Sequence, residues 1–165
     1  MLKRLIGRLL GFQAEIERLQ VQLQDLSWDT AFGMWTRAAF LQFCHVMPRG
    51  RRILLFLDLD GIHGLNERYG YEQVNQRIKT SFSVSFRRSD VVARWFSGDE
   101  IVILFDSDAL GAERKITQLQ ESAREQGLTF KYEVGEWVVG KQAVEDVVEE
   151  LGRKVNLQKE HGRQQ

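Results

Sequence analysis

The first 26 residues carry an unbroken apolar rhythm. Leu2, Leu5, Leu9, Phe12, Ile16, Leu19, Leu23 and Leu26 follow in steps of three and four, with Glu, Arg and Gln filling most of the gaps. Such steps place one narrow stripe along a helix, the a/d seam of a coiled coil. A seam that narrow stays in water unless another helix covers it, so the pattern predicts pairing with a second copy. Lys3, Arg4 and Arg8 among the leucines keep two other readings open, an amphipathic anchor on a membrane surface and packing on the chain's own domain. From Ser27 the rhythm changes. Ser27 and Asp29 suit the capping of a following helix, helical from about Thr36 to Cys44 and broken by Pro48-Arg49-Gly50. Ile53–Leu57 is a continuous apolar run of strand length, which predicts a central strand covered on both faces.

Residues 64–86 read as one helix through Leu65, Val74, Ile78 and Phe82. Residues 91–96 and 101–105, rich in Val, Ile, Trp and Phe, read as a hairpin around a small polar turn. A helix follows from about Leu110 to Gln126 and is stopped by Gly127. Leu128–Val134 alternates as a strand, Gly135 interrupts it, Trp137–Val139 reads as a short partner strand, and residues 142–158 form a last amphipathic helix. The order predicts an α/β fold, a mixed sheet with helices over it, divided into a leading helix at 1–26 and a domain at 27–165.

Composition narrows the classes. Twenty-three basic and 23 acidic residues cancel, so bulk charge gives no argument for a nucleic-acid partner. The single cysteine, Cys44, excludes a disulfide framework and fits a reducing compartment. No apolar run approaches the ~20 residues of a membrane span, and the start lacks a signal-peptide core. The expected location is the cytoplasm.

The candidate chemistry lies in two places. Asp58 and Asp60 end the apolar strand and, by alternation, point to one side at its carboxyl end, where α/β sheets gather ligands. Asp99 and Glu100 sit side by side at the hairpin tip, costly to hold together without a cation or a donor. The plainer readings are a strand-end cap and a solvated acidic turn.

Four stretches then line up in order. Asp58-Leu59-Asp60-Gly61-Ile62-His63-Gly64-Leu65-Asn66-Glu67, with Gly70 and Asn75 beyond it, resembles the DxDxFKxxND..GH..GD signature of GGDEF domains. Ser97-Gly98-Asp99-Glu100-Ile101 resembles their signature hairpin. The stretch from Asp29 to Phe40 is similar to their DxLTGLxNRxxF opening, and Lys159-Glu160-His161-Gly162-Arg163 to their closing KxxGR. The resemblance covers residues 27–165. It implies an adenylate-cyclase-like palm (βααββαβ with an added hairpin) and the condensation of two GTP to cyclic di-GMP by two facing domains, with Mg²⁺ or Mn²⁺. By resemblance, Asp58, Asp99 and the Leu59 carbonyl hold the metal, and Glu100 assists the 3′-hydroxyl. Asn66 meets the guanine edge, and Asn75 stands where the family has a guanine-reading Asp. His63 stands for a Lys near the triphosphate, Gly98 lies under the nucleotide, and Lys159 and Arg163 hold phosphates. Arg87 and Asp90 match an RxxD site at which cyclic di-GMP inhibits, the plainer reading being a helix-end ion pair. The heptad seam fits a reaction that needs two copies.

The chain also departs from the pattern. Ser97 stands for Gly, Ile101 for Phe, Thr36 for Asn, Asn75 for Asp and His63 for Lys, and one residue more than usual separates Arg94 from the hairpin acids. Two functions therefore remain open. One is a working dimeric diguanylate cyclase. The other is a degenerate GGDEF domain that binds GTP, cyclic di-GMP or a protein partner without turnover. Asn75 also admits a different nucleotide.

Overall fold

The apolar run at 53–57 lies within strand β3 (Arg51–Leu59), an interior strand of the sheet in the computed structural model. The structure describes Glu15, Arg18, Leu19 and residues 26–162 apart from 84, 85, 87, 88 and 97. Strand β3 runs antiparallel to β5 (Glu100–Phe105) on one side and to β6 (Phe130–Val138) on the other. Strands β1 (Trp28–Asp29), β2 (Met34–Trp35) and β4 (Val91–Arg94) complete the order β1-β2-β4-β5-β3-β6. Among the described strands only β2 and β4 pair in parallel, so the sheet is mixed, as expected. Helices α1 (Arg37–His45), α2 (Ile62–Tyr69), α3 (Tyr71–Phe82), α4 (Ala109–Glu125) and α5 (Val144–Gly162) cover it.

Alternation along β3 explains why its sequence is apolar without interruption. Leu55, Leu57 and Leu59 face one core with Ile101, Ile103 and Phe105 of β5, closed by Val74 and Ile78 of α3 and Ile116 and Leu119 of α4. Leu54 and Phe56 face the opposite core with Val102 and Leu104, closed by Phe40 of α1 and Val148, Leu151 and Val155 of α5. Each such side chain contributes ~1.5–3 kcal/mol on burial. With both faces occupied, strand length and register are fixed by packing on two sides.

Three elements differ from the sequence reading. Residues 64–86 hold two helices, because Gly70 adopts φ 82° and ψ 153° between α2 and α3, a conformation that costs glycine little. Its N–H donates to Asn66 O (2.9 Å) to end α2, and its own carbonyl accepts from Val74 N (3.2 Å) to open α3. Gly135 does not divide a strand. It lies inside β6, where an added Cβ would stand 3.0 Å from Leu151 Cδ2, so the glycine makes room for α5. Thr36, not Ser27 or Asp29, caps α1, its hydroxyl accepting from Ala39 N at 3.3 Å. Asp29 instead accepts from the Ala31 and Phe32 amides (3.0 and 3.2 Å) in the turn between the short strands β1 and β2. Gly127 ends α4 with φ 71°, as expected.

Glu15, Arg18, Leu19, Leu26 and Ser27 are helical. Leu19 is 45% and Leu26 69% exposed, so these two seam positions face solvent on the single chain. The other seam positions, and with them the pairing expected of residues 1–26, lie outside the described residues. No described helix is long and apolar enough to cross a membrane.

Candidate functional site

Asp58 shares the face of Leu54 and Phe56, one step beyond the apolar run, and is buried with 7% exposure. The β3–β5 register places it directly opposite Glu100. Alternation along β5 puts Glu100 on the same face as Val102 and Leu104, so two carboxylates meet across one rung. The turn is fastened to the strand end, for Leu59 N donates to Asp99 O at 2.9 Å.

The cation among these acids comes from α5. Val148, Leu151 and Val155 form its buried stripe, and the next position four residues on is Lys159. Its Nζ lies 2.6 Å from Asp58 Oδ1 and 3.9 Å from Asp60 Oδ1, and 3.5 Å from the Leu59 carbonyl oxygen. Asp60 is tied down separately, accepting from Thr129 Oγ1 at 3.1 Å, while its N–H donates to Thr129 O.

Burial holds the Asp58 carboxyl above its ordinary range; Lys159 opposes the rise, and Asp99 and Asp60 add to it. The Glu100 carboxyl is also raised, first by burial and then by the charges of Asp58 and Asp99. Glu100 Oε2 is enclosed and has no hydrogen-bond partner. An enclosed, unpartnered oxygen among crowded carboxylates favours added positive charge. Two carboxylates and a carbonyl are hard oxygen donors of the kind Mg²⁺ and Mn²⁺ take, the remaining positions going to water or phosphate oxygens. The residues present therefore fit such an ion at Asp58, Asp99 and the Leu59 carbonyl. Among the described residues, no three acidic, His or Cys side chains are grouped as a ready-made metal cage.

The supernumerary residue of the hairpin is absorbed in the turn. Trp95 is 3% exposed and its N–H donates to Glu100 O (2.8 Å), continuing the ladder. Phe96 is 56% exposed. Arg37 of α1 lies over both rings, 4.4 Å from the centroid of Trp95 and 4.3 Å from that of Phe96. The extra residue thus leaves Glu100 in register with Asp58. On the other flank Arg94 donates to Asp29 Oδ2 at 2.7 Å and lies 4.5 Å over the Phe32 ring. Gly98 packs beneath them, where a Cβ would stand 3.2 Å from Arg94 Nη2 and 3.3 Å from Phe32 Cζ. A cleft of about 250 Å³ opens between the hairpin and α5, lined by Phe56, Trp95, Phe96, Glu100, Arg153 and Asn156 among others.

The other expected site residues lie on separate elements. Asn66 and Asn75 sit on α2 and α3, and Asn66 Oδ1 is enclosed without a partner. His63, its side chain 87% exposed, pairs with Glu67 at 3.2 Å on the outer face of α2. Asp90 precedes β4, at the end of the β4–β5 ladder away from the acids. Its enclosed carboxylate accepts from Asp106 N (2.9 Å) and pairs with Lys115. Ser97, Arg87 and Arg163 lie outside the described residues. Sequence reading missed the Asp29–Arg94 and Asp90–Lys115 pairs, since partners 65 and 25 residues apart leave no local signal.

The sheet order, the helix pair after strand β3 and the acids at that strand's end define a nucleotide-cyclase-like palm. The chain belongs to the GGDEF family, whose sequence model (Diguanylate cyclase, GGDEF domain) matches residues 37–165. Among solved structures it is similar to the coiled coil and GGDEF domain of DgcB from Caulobacter crescentus in complex with c-di-GMP. That match has a TM-score of 0.72 and 21% identity, covering 96% of this chain and 95% of that one. It is also similar to the diguanylate cyclase SiaD from Pseudomonas aeruginosa in complex with its activator SiaC, with a TM-score of 0.68 and 18% identity, covering 98% of this chain and 69% of that one. At these identities the likeness is one of fold. A curated relative, the cyclic di-GMP phosphodiesterase NbdA of Pseudomonas aeruginosa, is 30% identical over 103 residues, 56% of this chain and 13% of that protein. The chain thus corresponds to a small part of that relative's length.

Proposed function

We propose that the domain is a diguanylate cyclase that condenses two GTP to cyclic di-GMP, releasing two pyrophosphates, as a two-fold pair of chains. The observation that supports this most directly is the placement of Glu100 opposite Asp58, with the turn bonded to β3 and Glu100 Oε2 enclosed and unpartnered. Asp58, Asp99 and the Leu59 carbonyl are the metal ligands of this reading. A divalent cation bound there supplies charge neutralisation at the α-phosphate and pyrophosphate and makes the 3′-hydroxyl more acidic. Glu100, which stands opposite Asp58 across the rung, accepts the 3′-hydroxyl proton as the new phosphodiester bond forms and pyrophosphate leaves. Asn66 offers its amide to the guanine edge and Asn75 an uncharged acceptor beside it. Gly98 allows the turn to lie close to the nucleotide. Lys159 and Arg163 hold the phosphates, and His63 adds a weaker contact at its margin. The partner site is brought within reach by residues 1–26, whose seam positions Leu19 and Leu26 face solvent.

Two observations favour the second reading, a GGDEF module that binds GTP, cyclic di-GMP or a protein partner without turnover. His63 pairs with Glu67 in solvent, and Asn75 lacks the charge that strengthens a guanine contact by ~1–3 kcal/mol. Arg87 and Asp90 remain the proposed product site. Use of Asp90 there requires Lys115 to release a carboxylate it holds inside the protein.

The test is incubation of the purified chain at high concentration with Mg²⁺ or Mn²⁺ and labelled GTP, with ATP in parallel. Cyclic di-GMP formed from GTP, and lost in Asp99→Asn, is the expected result. No cyclic dinucleotide, together with calorimetric binding of cyclic di-GMP, leaves the module reading in its place.

A further inference from the structure

The oxygens assigned to a divalent cation already have a cationic partner in this chain. Lys159 Nζ is 2.6 Å from Asp58 Oδ1 and 3.5 Å from Leu59 O, and Asp60 Oδ1 lies 3.9 Å away. The lysine reaches this position from the buried stripe of α5, and its side chain is 22% exposed. An ammonium satisfies a carboxylate at about 2.6–3 Å, whereas Mg²⁺ needs the same oxygen at about 2.0–2.1 Å. Two cations sharing Asp58 Oδ1 and Leu59 O would stand within a few ångströms of each other in a site where charge is poorly screened.

Resting on the metal assignment of the proposed function, we infer that the Lys159 ammonium occupies the cation's place in the nucleotide-free domain. It must swing to phosphate oxygens before the metal can settle. A buried group of acids without a counter-ion is costly, and Lys159 supplies one while no metal is bound. Its flexible four-carbon stem lets the charge move a few ångströms without moving the helix. A triphosphate offers that charge a new partner and brings further ligands for the ion. Metal and nucleotide therefore enter together, and the bare domain holds metal weakly. A lysine that served only to grip phosphate would leave metal affinity unchanged when no phosphate is present.

The experiment is Mn²⁺ binding without nucleotide, followed by electron paramagnetic resonance of the free ion. It compares the wild type, Lys159→Met, Lys159→Gln and Lys159→Arg, with circular dichroism to verify folding. Both uncharged variants are expected to bind Mn²⁺ roughly tenfold or more tightly than the wild type, with Lys159→Arg no tighter than the wild type. The gain should vanish when Asp58→Asn is added. Equal or weaker binding by the folded uncharged variants, with binding still lost in Asp58→Asn, overturns the inference and leaves the metal assignment intact. No binding by any variant at millimolar Mn²⁺ removes the metal assignment as well.

Discussion

Glu100 is the residue whose surroundings ask most of it. It is largely enclosed, one oxygen lacks a partner, and Asp58 and Asp99 crowd it. Its proton affinity in the folded chain is above the ordinary value of 4.5, so the folded state keeps a proton that the unfolded chain gives up. The corresponding stability is complete below that ordinary value and is lost as pH rises through the folded one. Asp58 is raised as well and contributes with the same sign. Thermal unfolding in metal-free buffer should therefore show the wild type losing stability as pH climbs out of the ordinary carboxylate range. Glu100→Gln should lose less and be the more stable protein at neutral pH. Superimposable pH profiles would show that Glu100 bears no such strain.

Most of the elements could be read from the sequence, because α3, α4 and α5 bury one stripe each and β3 buries two faces. Those constraints write a period into the sequence. Where a single backbone conformation or a distant neighbour decides, no period exists. Gly70 ends one helix and starts another through its own φ, and Gly135 is explained only by Leu151 across the gap to α5. The acids of the site were legible as pairs, Asp58 with Asp60 and Asp99 with Glu100. Their placement across one rung was not, since it depends on how the turn absorbs an extra residue. Trp95 continues the ladder and Phe96 takes up the extra length. This division gives the two neighbouring aromatics very different weight. Trp95→Ala should cost ~3–5 kcal/mol, as for other buried aromatics. Phe96→Ala should cost under about 1 kcal/mol, the loss of an exposed stack with Arg37. Urea denaturation of the two variants checks the assignment, and similar losses would contradict it.

At the scale of the whole molecule, one domain presents one set of acids, and the proposed reaction joins two nucleotides. Turnover per chain should then rise with protein concentration until pairing is complete. Deleting residues 2–26 should move that rise to much higher concentration, because a coupled partner acts at an effective concentration that free domains do not reach. Sedimentation and initial rates measured over one dilution series test both statements. A deletion variant with unchanged rate per chain would assign pairing to another surface.

The Thr36 hydroxyl has a mechanical consequence at the same scale. It accepts from Ala39 N at the start of α1 and donates to Leu26 O at the end of the preceding helical residues, 2.7 Å away. Thr36 N donates to Ser27 O at 3.0 Å, and β1 and β2 close the turn between them. A free nine-residue tether would let its ends wander over ~15–18 Å. Here the ends are knotted to one side chain, and the connector behaves as a keyed joint between shaft and load. Each residue added to a helix turns what precedes it by ~100°. On the proposed pairing through residues 1–26, a joint without slack would turn such a phase change into a rotation of the acid-bearing face, so that the proposed cyclase would respond to angle where a tethered one would respond to distance.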